Sequence, residues 1–553
     1  MRGIQEQILR RAQSTPAQLY LAQPVNRQWQ HWTWAQAVQE ARQMATALLE
    51  QGLAPGDRVG IISRNCAHWV LSDLAIILAG LVSVPVYPTA NAKTIRQIVE
   101  HSETKLLIVG KIDDPEAQLA GIPETVKTIA MPYDEAVGEL KWEALLQATD
   151  AGRFQLQARE PDDLATLLYT SGSTGDPKGA MHSHANFAWV GEHLPEAIGV
   201  QSGDRILSYL PLSHCTERAY VEAASFYSES TLYFVESIET FQADLAHARP
   251  TLFGSVPRLW KKFQIGVLEK LPQRKIDRMM SLPLVGKFLG NKIKKKVKAG
   301  LGLDQARWFA SGSAPIATSL LKWWDRLDVP ISEGWGMTET FAYGTSLPAG
   351  ERPRYGAISK ALPEVDLKIS EDEELLINCP CMMQGYYKSD RDTDASFVDG
   401  YFKTGDQATI DSDGWVYITG RVKERFKTAK GKYISPVPIE SLLARNDHIE
   451  LACVTGSGLP QPVVLVQLAD TAPKDQSFVA AELEATRMAV NQELESHERL
   501  GQMIVITGSW EPENGMLTPT LKLKRAAIEA KYGHLLGRSK ESVVFEHSYS
   551  EAS

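Results

Sequence analysis

Apolar residues recur at helical spacing from Trp34 to Leu49. Trp34, Ala37, Val38, Ala41, Met44, Ala45, Leu48 and Leu49 share one face, Thr33 stands where an N-cap belongs, and Gly52 ends the run. Pro55-Gly56-Asp57 makes a turn, and the apolar run Val59-Gly60-Ile61-Ile62 behind it predicts a buried strand. The alternation repeats as a helix over 67–80, a strand over 82–86, a helix over 95–101 and a strand over 105–109. Short buried strands alternating with helices imply a parallel sheet with helices on its faces, and such sheets bind ligands at the loops after their strands. Residues 110–160 are more polar and carry less pattern.

Leu164, Ala165, Leu167 and Leu168 predict another strand, which runs into Tyr169-Thr170-Ser171-Gly172-Ser173-Thr174-Gly175-Asp176-Pro177-Lys178-Gly179. Rich in glycine and hydroxyls and without a bulky apolar side chain, this stretch reads as a loop and not as a core strand or a helix. Its N–H groups and hydroxyls can converge on an anion, with Lys178 adding a point charge. It is not a Walker A loop, because Asp176 and Pro177 separate the preceding glycine from Lys178. A plain Ser/Gly surface loop would have the same composition. The rigid Asp-Pro turn before the lysine, directly behind a buried strand, favours phosphate.

Further on, Phe187 to Ile198 reads as a helix. Arg205 to Pro211 reads as a strand ending at Leu212-Ser213-His214, and 231–235 and 251–256 continue the strand pattern. From Lys261 to Lys298 the chain is helical and basic, with breaks at Pro272 and Pro283. There Lys287, Lys292, Lys294, Lys295, Lys296 and Lys298 crowd around Leu284, Val285, Phe288, Leu289, Ile293 and Val297. Two readings stay open: a peripheral contact with anionic lipid on the inner face of a membrane, or a solvated helix whose apolar side packs on the domain. Trp308 to Pro315 and Ile331 to Thr340 are strands breaking into small-residue loops. From Tyr355 to Gly420 short strands and turns predict an antiparallel β region, and the change of texture beyond it marks a domain boundary near 420.

Composition narrows the class. A chain of 553 residues exceeds what one core supports, so two or more domains are expected. A net charge of −9 argues against nucleic acid as the general partner. Five scattered cysteines fit a reducing cytoplasm, and Cys379 and Cys381 have no sequence neighbours that would complete a metal site. The first thirteen residues lack the apolar core of a signal peptide. Trp69 to Tyr87 is interrupted by Asp73, Gly80 and Pro85, so it reads as a buried helix and strand and not as a membrane span.

Six stretches in order now resemble one superfamily: Tyr169–Gly179, Tyr209–Arg218 (YLPLSHCTER), Ser311–Ile316 (SGSAPI), Gly334–Thr340 (GWGMTET), Tyr401–Glu440, and Asn514–Arg525 (NGMLTPTLKLKR). They are similar to the adenylate-forming enzymes: acyl-CoA synthetases, luciferases and peptide-synthetase adenylation domains. Arg249-Pro250-Thr251, Val256-Pro257-Arg258-Leu259-Trp260, the long basic insertion and the LTPTLKLKR ending resemble the long-chain and very-long-chain fatty acyl-CoA synthetases of the bubblegum-like type. The resemblance implies an α/β fold. A large N-terminal domain, residues 1–422, would hold flanked, mostly parallel sheets plus a small β-barrel-like region, and a smaller mobile α+β domain would span 423–553. It also implies ATP-dependent activation of a fatty acid to an acyl-adenylate with release of pyrophosphate, then transfer to coenzyme A, with Mg²⁺ assisting. Such chemistry needs positioning and charge stabilisation and no side-chain nucleophile. Transfer to an acyl carrier protein, or a non-catalytic acyl or nucleotide sensor, are the alternatives.

By this resemblance Thr170, Ser171, Gly172, Ser173, Thr174, Gly175 and Lys178 hold the β- and γ-phosphates. Thr338 contacts the α-phosphate and Glu339 holds Mg²⁺. Trp335 stacks on adenine, with Gly312, Ser313, Ala314 and Pro315 against its other face. Asp406 and Arg421 bind the ribose, and His214 lies beside the attacking carboxylate. Lys522 is the lysine brought over for adenylation; Lys524 is its rival, and Arg525 three places on decides for Lys522. Lys423 matches the hinge, where Glu424 stands in place of the usual aspartate, and Gly431 matches the pantetheine tunnel.

Overall fold

The computed structural model describes residues 2–171, 177–281, 286–512, 514–518, 522–539 and 541–549. Two large sheets form the N-terminal part. One has eight strands, in the order Gly385–Tyr386, Pro177–Ser183, Leu164–Ser171, Val82–Val86, Arg58–Ile62, Thr104–Val109, Lys127–Ala130 and Leu140–Lys141. Its pairings are parallel except at the end formed by the first three strands. The other has seven strands, in the order Ile331–Glu333, Trp308–Ser311, Leu252–Ser255, Arg205–Ser208, Thr231–Phe234, Leu19–Val25 and Gln28–Thr33, and only the last pairing is antiparallel. The fold is thus α/β with mixed, largely parallel sheets.

Local chemistry explains the elements read from the sequence. The helix Trp34–Glu50 starts at a full capping box, in which Thr33 Oγ1 accepts from Gln36 N–H and Gln36 Oε1 accepts from Thr33 N–H. The helix Ala67–Leu78 is buried along its whole length, and its one acidic residue, Asp73, meets Arg218. The basic stretch forms the helices Pro257–Lys270, Gln273–Ser281 and Gly286–Leu301. Its first break falls at Pro272, whose missing N–H cannot continue a helix; the break expected at Pro283 lies outside the described residues.

One expectation needs correction. The ends of the 169–179 stretch are strand, not loop: Thr170 pairs with Lys178 and Ser171 with Pro177 across an antiparallel hairpin. Small hydroxyl residues fit a pleated ladder once a partner strand supplies the hydrogen bonds, and only 172–176 lie outside the described residues. The polar stretch 110–160 holds the strands Lys127–Ala130 and Leu140–Lys141 and the helix Trp142–Ala148, whose apolar residues are too few to show a period.

Beyond the parallel sheets, a wholly antiparallel five-stranded sheet joins Asp366–Ile369, Glu374–Asn378, Tyr401–Ile410, Phe397–Val398 and Val416–Arg421, where the β region is expected. The last part has its own sheet, Ile449–Thr455, Val463–Leu468, Gln502–Val505 and Val543–Phe545, and its apolar cores draw on no residue before Phe426. This part meets the basic helices through ion pairs from Arg258 to Glu450 at 2.8 Å and from Lys261 to Asp447.

One charged cluster is sealed between the two large sheets. Arg218 is fully buried; its Nη2 donates to Asp73 at 3.1 Å and to Ser83 Oγ at 3.0 Å, and its Nη1 lies 3.1 Å from Glu222. The guanidinium also sits 5.2 Å from the ring centres of both Trp69 and Phe187. Burial pushes the Glu222 carboxyl well up, with Arg218 opposing and Asp73 adding to the rise. Arg218 thus faces both carboxyls at 3.1 Å, and burial disfavours the charged form of Glu222. Arg218→Leu should cost the N-terminal part about 3–5 kcal/mol in urea unfolding, because it strands the Asp73 charge. Glu222→Gln should stay within about 1 kcal/mol of wild type, since it keeps the side chain's shape and removes a carboxyl whose charged form burial disfavours. Equal losses in the two variants would contradict this assignment.

Candidate active site

The antiparallel register places Asp406 on Tyr401–Ile410 directly opposite Arg421 on Val416–Arg421. Arg421 Nε bonds Asp406 Oδ1 at 2.7 Å, and Trp335 Nε1 donates to Asp406 Oδ2 at 2.9 Å. Burial raises the Asp406 carboxyl, opposed by Arg421, Trp335 and Lys522. Each oxygen keeps a further lone pair for an incoming hydroxyl. Trp335 is half-buried, with one side backed by Gly344, where an added Cβ would lie 2.9 Å from the indole. The loop Gly312–Pro315 approaches from the neighbouring strand end. Gly334 N–H donates to Ser311 O at 2.8 Å, and Ser313, Ala314 and Pro315 stay exposed. Two strand ends and one β-hairpin therefore frame a flat, partly open aromatic slot beside a carboxylate.

Next to this slot, Thr338–Thr340 forms a single 3-10 turn. His182 Nε2 donates to Thr338 O at 2.7 Å, and the Thr338 hydroxyl points at Cys215 Sγ, 3.6 Å away. Burial drives the His182 pKa down to about 4, so the ring is neutral and holds the turn without adding charge. Glu339 is buried and accepts from the Tyr386 hydroxyl at 2.6 Å; burial raises its carboxyl, and Tyr386, Arg421 and Lys522 oppose that rise. Lys178 projects from its strand toward the same region, bonds Asp392 at 2.6 Å and lies 5.4 Å from the Tyr386 ring centre.

His214 follows the strand Arg205–Ser208 and caps a short helical turn, its Nδ1 accepting from Thr216 N–H at 3.2 Å. That acceptor role places the proton on Nε2. Burial and then Lys522 push its pKa down to about 4. The turn is anchored by Glu217, which accepts from Ser208 Oγ at 2.8 Å and Tyr209 N–H at 3.0 Å. From the C-terminal part, Lys522 is held in a tight turn by Thr518, with N–H to Oγ1 at 3.0 Å and O from Thr518 N–H at 2.8 Å. Desolvation first and then Arg421 lower its ammonium, while Asp406, Cys215 and Glu424 raise it. Its side chain keeps one face in water, as a group reaching across a cleft does. Arg525 ties this turn to the linker: it bonds Glu440 at 2.8 Å, Val454 O at 2.8 Å and Glu424 at 3.3 Å.

The structure thus gathers Thr338, Glu339, His214, Trp335, Asp406, Arg421 and Lys522 around one cleft. Thr170 and Lys178 lie on the adjoining hairpin. Gly172, Ser173, Thr174 and Gly175 fall outside the described residues, as does the Ser171 side chain. Lys423 lies in the 3-10 turn Val422–Glu424 that leads to the C-terminal part. Gly431 sits apart, at φ 75° in the tight turn between Phe426–Lys427 and Tyr433–Ile434, a backbone state only glycine adopts without strain. Lys524 precedes the helix Arg525–Tyr532 on an exposed surface. Among the described residues no group of three or more His, Cys, Asp or Glu could hold a metal on its own.

A family model described as AMP-binding enzyme matches residues 8–387, and one described as AMP-binding enzyme C-terminal domain matches 424–538. The chain belongs to the AMP-binding enzyme family. This AMP-binding enzyme is 29% identical to long-chain-fatty-acid–CoA ligase FadD15 of Mycobacterium bovis, covering 91% of each chain. It is 27% identical to the Mus musculus long-chain-fatty-acid–CoA ligase ACSBG2, covering 93% of this chain and 89% of that relative. A solved A domain of carboxylic acid reductase from Segniliparus rugosus, in complex with AMP and a co-purified carboxylic acid, shares the fold. Its TM-score is 0.79 at 20% identity, over 100% of this chain and 94% of that one.

Sequence reading missed four members of the enzyme's cleft: Tyr386, Asp392, His182 and Cys215. Each acts on a partner far along the chain, so no local spacing announces it. Gly385-Tyr386-Tyr387 was the nearest signal, a glycine-aromatic run whose first two residues form the edge strand beside Pro177–Ser183. A pH test probes the anchor of His214. Burial pushes the Glu217 carboxyl up to about 8, so the folded enzyme binds an extra proton between about 4.5 and about 8. Stability should fall as pH rises across that window, and Glu217→Gln should flatten this decline in urea midpoints; an unchanged slope would count against a protonated Glu217.

Proposed function

We propose that this enzyme activates a long-chain fatty acid with ATP, forming an acyl-adenylate and pyrophosphate, and then transfers the acyl group to coenzyme A with release of AMP. The observation that carries this reading is the arrival of Lys522, from the C-terminal part, over Asp406, Arg421 and His214. A cation delivered by one domain to a nucleotide-shaped slot in another suits a reaction whose charge develops at phosphate. The acyl-chain class and the acceptor come from the two relatives named above.

In the first half-reaction a carboxylate oxygen of the fatty acid attacks the α-phosphorus, and the bond to the bridging oxygen of pyrophosphate breaks. Trp335 and the 312–315 loop hold adenine, and Asp406 with Arg421 holds the ribose. His214, neutral and carrying its proton on Nε2, donates to the attacking carboxylate without attracting it as an ion would. Thr338 meets the α-phosphate. Lys178 exchanges Asp392 for the leaving phosphates, together with Thr170, Ser171 and the 172–175 loop. Lys522 bridges the carboxylate and the α-phosphate as charge builds between them. Glu339 fits Mg²⁺, which prefers one or two carboxylates completed by phosphate oxygens; Tyr386 occupies one Glu339 oxygen and leaves the other for the ion. Bound there, the ion would neutralise phosphate charge. In the second half-reaction the thiol sulfur attacks the acyl carbonyl and AMP departs. A boundary at 422/423, with Lys423 as hinge, would let the C-terminal domain turn so that Lys522 leaves and Gly431 lines the thiol's path.

ATP should yield AMP and pyrophosphate only when fatty acid is present, and thioester only when CoA is added; ADP as product would end the assignment. Lys522→Ala should lower acyl-adenylate formation by about 10²-fold or more while thioester formation from supplied acyl-adenylate stays near wild type. Because the cation is the active form, adenylation should decline as pH rises through the lowered Lys522 pKa, and the residual rate of the alanine variant should lack that limb.

A further inference from the structure

One stretch of this acidic chain carries a strong local excess of positive charge. Residues 258–298 contain 13 Lys and Arg against two acids, Glu269 and Asp277, in a protein whose net charge is −9. The helix Gly286–Leu301 turns Gly290, Ile293, Val297 and Leu301 inward, where the last three join the core of Phe263 and Trp324. It packs against Gln273–Ser281 where Gly290 meets Met280. The apolar side is therefore already covered by the domain, as one of the two sequence readings holds. The outward side is a separate matter.

Lys292, Lys295 and Lys296 project from one exposed face at i, i+3 and i+4 spacing, and Arg274, Lys275 and Arg278 are exposed on the neighbouring helix. Among the described residues none of these six lies within ion-pair distance of a carboxylate. Acids near the helices are taken by other cations: Asp328 by Lys298 at 3.0 Å and Asp277 by Arg326. Like charges at this spacing repel one another, so the face costs stability unless an anionic surface relieves it. Phe288, 61% exposed, stands at its edge with the Lys292 ammonium 4.6 Å from its ring centre. An exposed aromatic amid cations matches the headgroup layer of a bilayer, where a ring enters the interface and ammonium groups meet phosphates. A duplex nucleic acid offers no apolar boundary for that ring.

We propose that the helices Gln273–Ser281 and Gly286–Leu301 dock this enzyme on a bilayer surface rich in anionic phospholipid, through Arg274, Lys275, Arg278, Lys292, Lys295, Lys296 and Phe288. The contact is with headgroups, since the inner apolar face is spent on the core; Leu284 and Val285 lie outside the described residues. No helix among the described residues is long and apolar enough to cross a membrane.

The test is co-sedimentation of the full-length protein with phosphatidylcholine vesicles with and without phosphatidylglycerol. Wild type should pellet only with the anionic vesicles and be released by salt, as screening shortens from about 10 Å at 0.1 M to about 3 Å at 1 M. The triple variant Lys292→Glu, Lys295→Glu, Lys296→Glu should bind about tenfold more weakly or worse. Phe288→Ser should weaken binding with little change in the salt response. Should the triple variant misfold, Arg274→Gln, Lys275→Gln, Arg278→Gln tests the same face without charge reversal. Pyrophosphate release with a short, soluble fatty acid should be unchanged in all variants, which separates failure at this surface from failure of the proposed chemistry. Equal pelleting with neutral vesicles, equal pelleting of wild type and the charge variants, or equal affinity for a DNA duplex would overturn the proposal.

Discussion

Arg218 is the point on which the two large sheets depend. It reaches Asp73 on one helix and Ser83 on a strand of the eight-stranded sheet, while its own segment follows a strand of the seven-stranded sheet. A guanidinium sealed from water must satisfy its charge locally, and only one relative placement of the sheets brings Asp73 within reach. The adjacent Glu217 adds a second constraint, joining Ser208 and Tyr209 to Asn65 across the same boundary. Between them these residues set the turn that carries His214. The position of His214 at the strand end thus depends on a buried polar knot a few residues away.

The cleft itself is built by a second kind of economy. Its groups hold one another in pairs: Trp335 and Arg421 on Asp406, Tyr386 on Glu339, His182 on the Thr338 carbonyl. Burial keeps the two histidines neutral, so they add no charge to the cleft. Lys522 is the exception in origin. It comes from a part of the chain with its own core, and Arg525 links its turn to the linker residue Glu424. Rotation about that linker would move the lysine as a unit with the helix and strand that Arg525 also grips.

The basic helices belong to neither economy. Their inner side completes the core behind the seven-stranded sheet, and their first helix meets the C-terminal part through Arg258 and Lys261. The same insertion therefore contributes to packing, to the seating of the second domain and to a cationic outer face. Charge left uncompensated in an otherwise acidic protein is the part that folding alone does not explain.

Much of the architecture was legible in the chain because its causes are local. Thr33 and Gln36 meet within one helical turn, Pro272 breaks a helix by lacking an N–H, and the antiparallel region announces itself by closely spaced turns. Regular alternation determined the parallel sheets, and motif order determined the roles expected of Asp406, Arg421 and Lys522. The hairpin at 164–183 and the strands after residue 126 escaped, since a ladder depends on what lies beside it and not on its own composition. Only the tertiary structure decided that Tyr386 holds Glu339, that His182 holds Thr338, that Asp392 receives Lys178 and that Arg218 answers Asp73. Each of those pairs joins residues far apart in sequence, and all but the partly exposed Lys178–Asp392 pair derive their strength from the removal of water, which happens only once the sheets have packed around them.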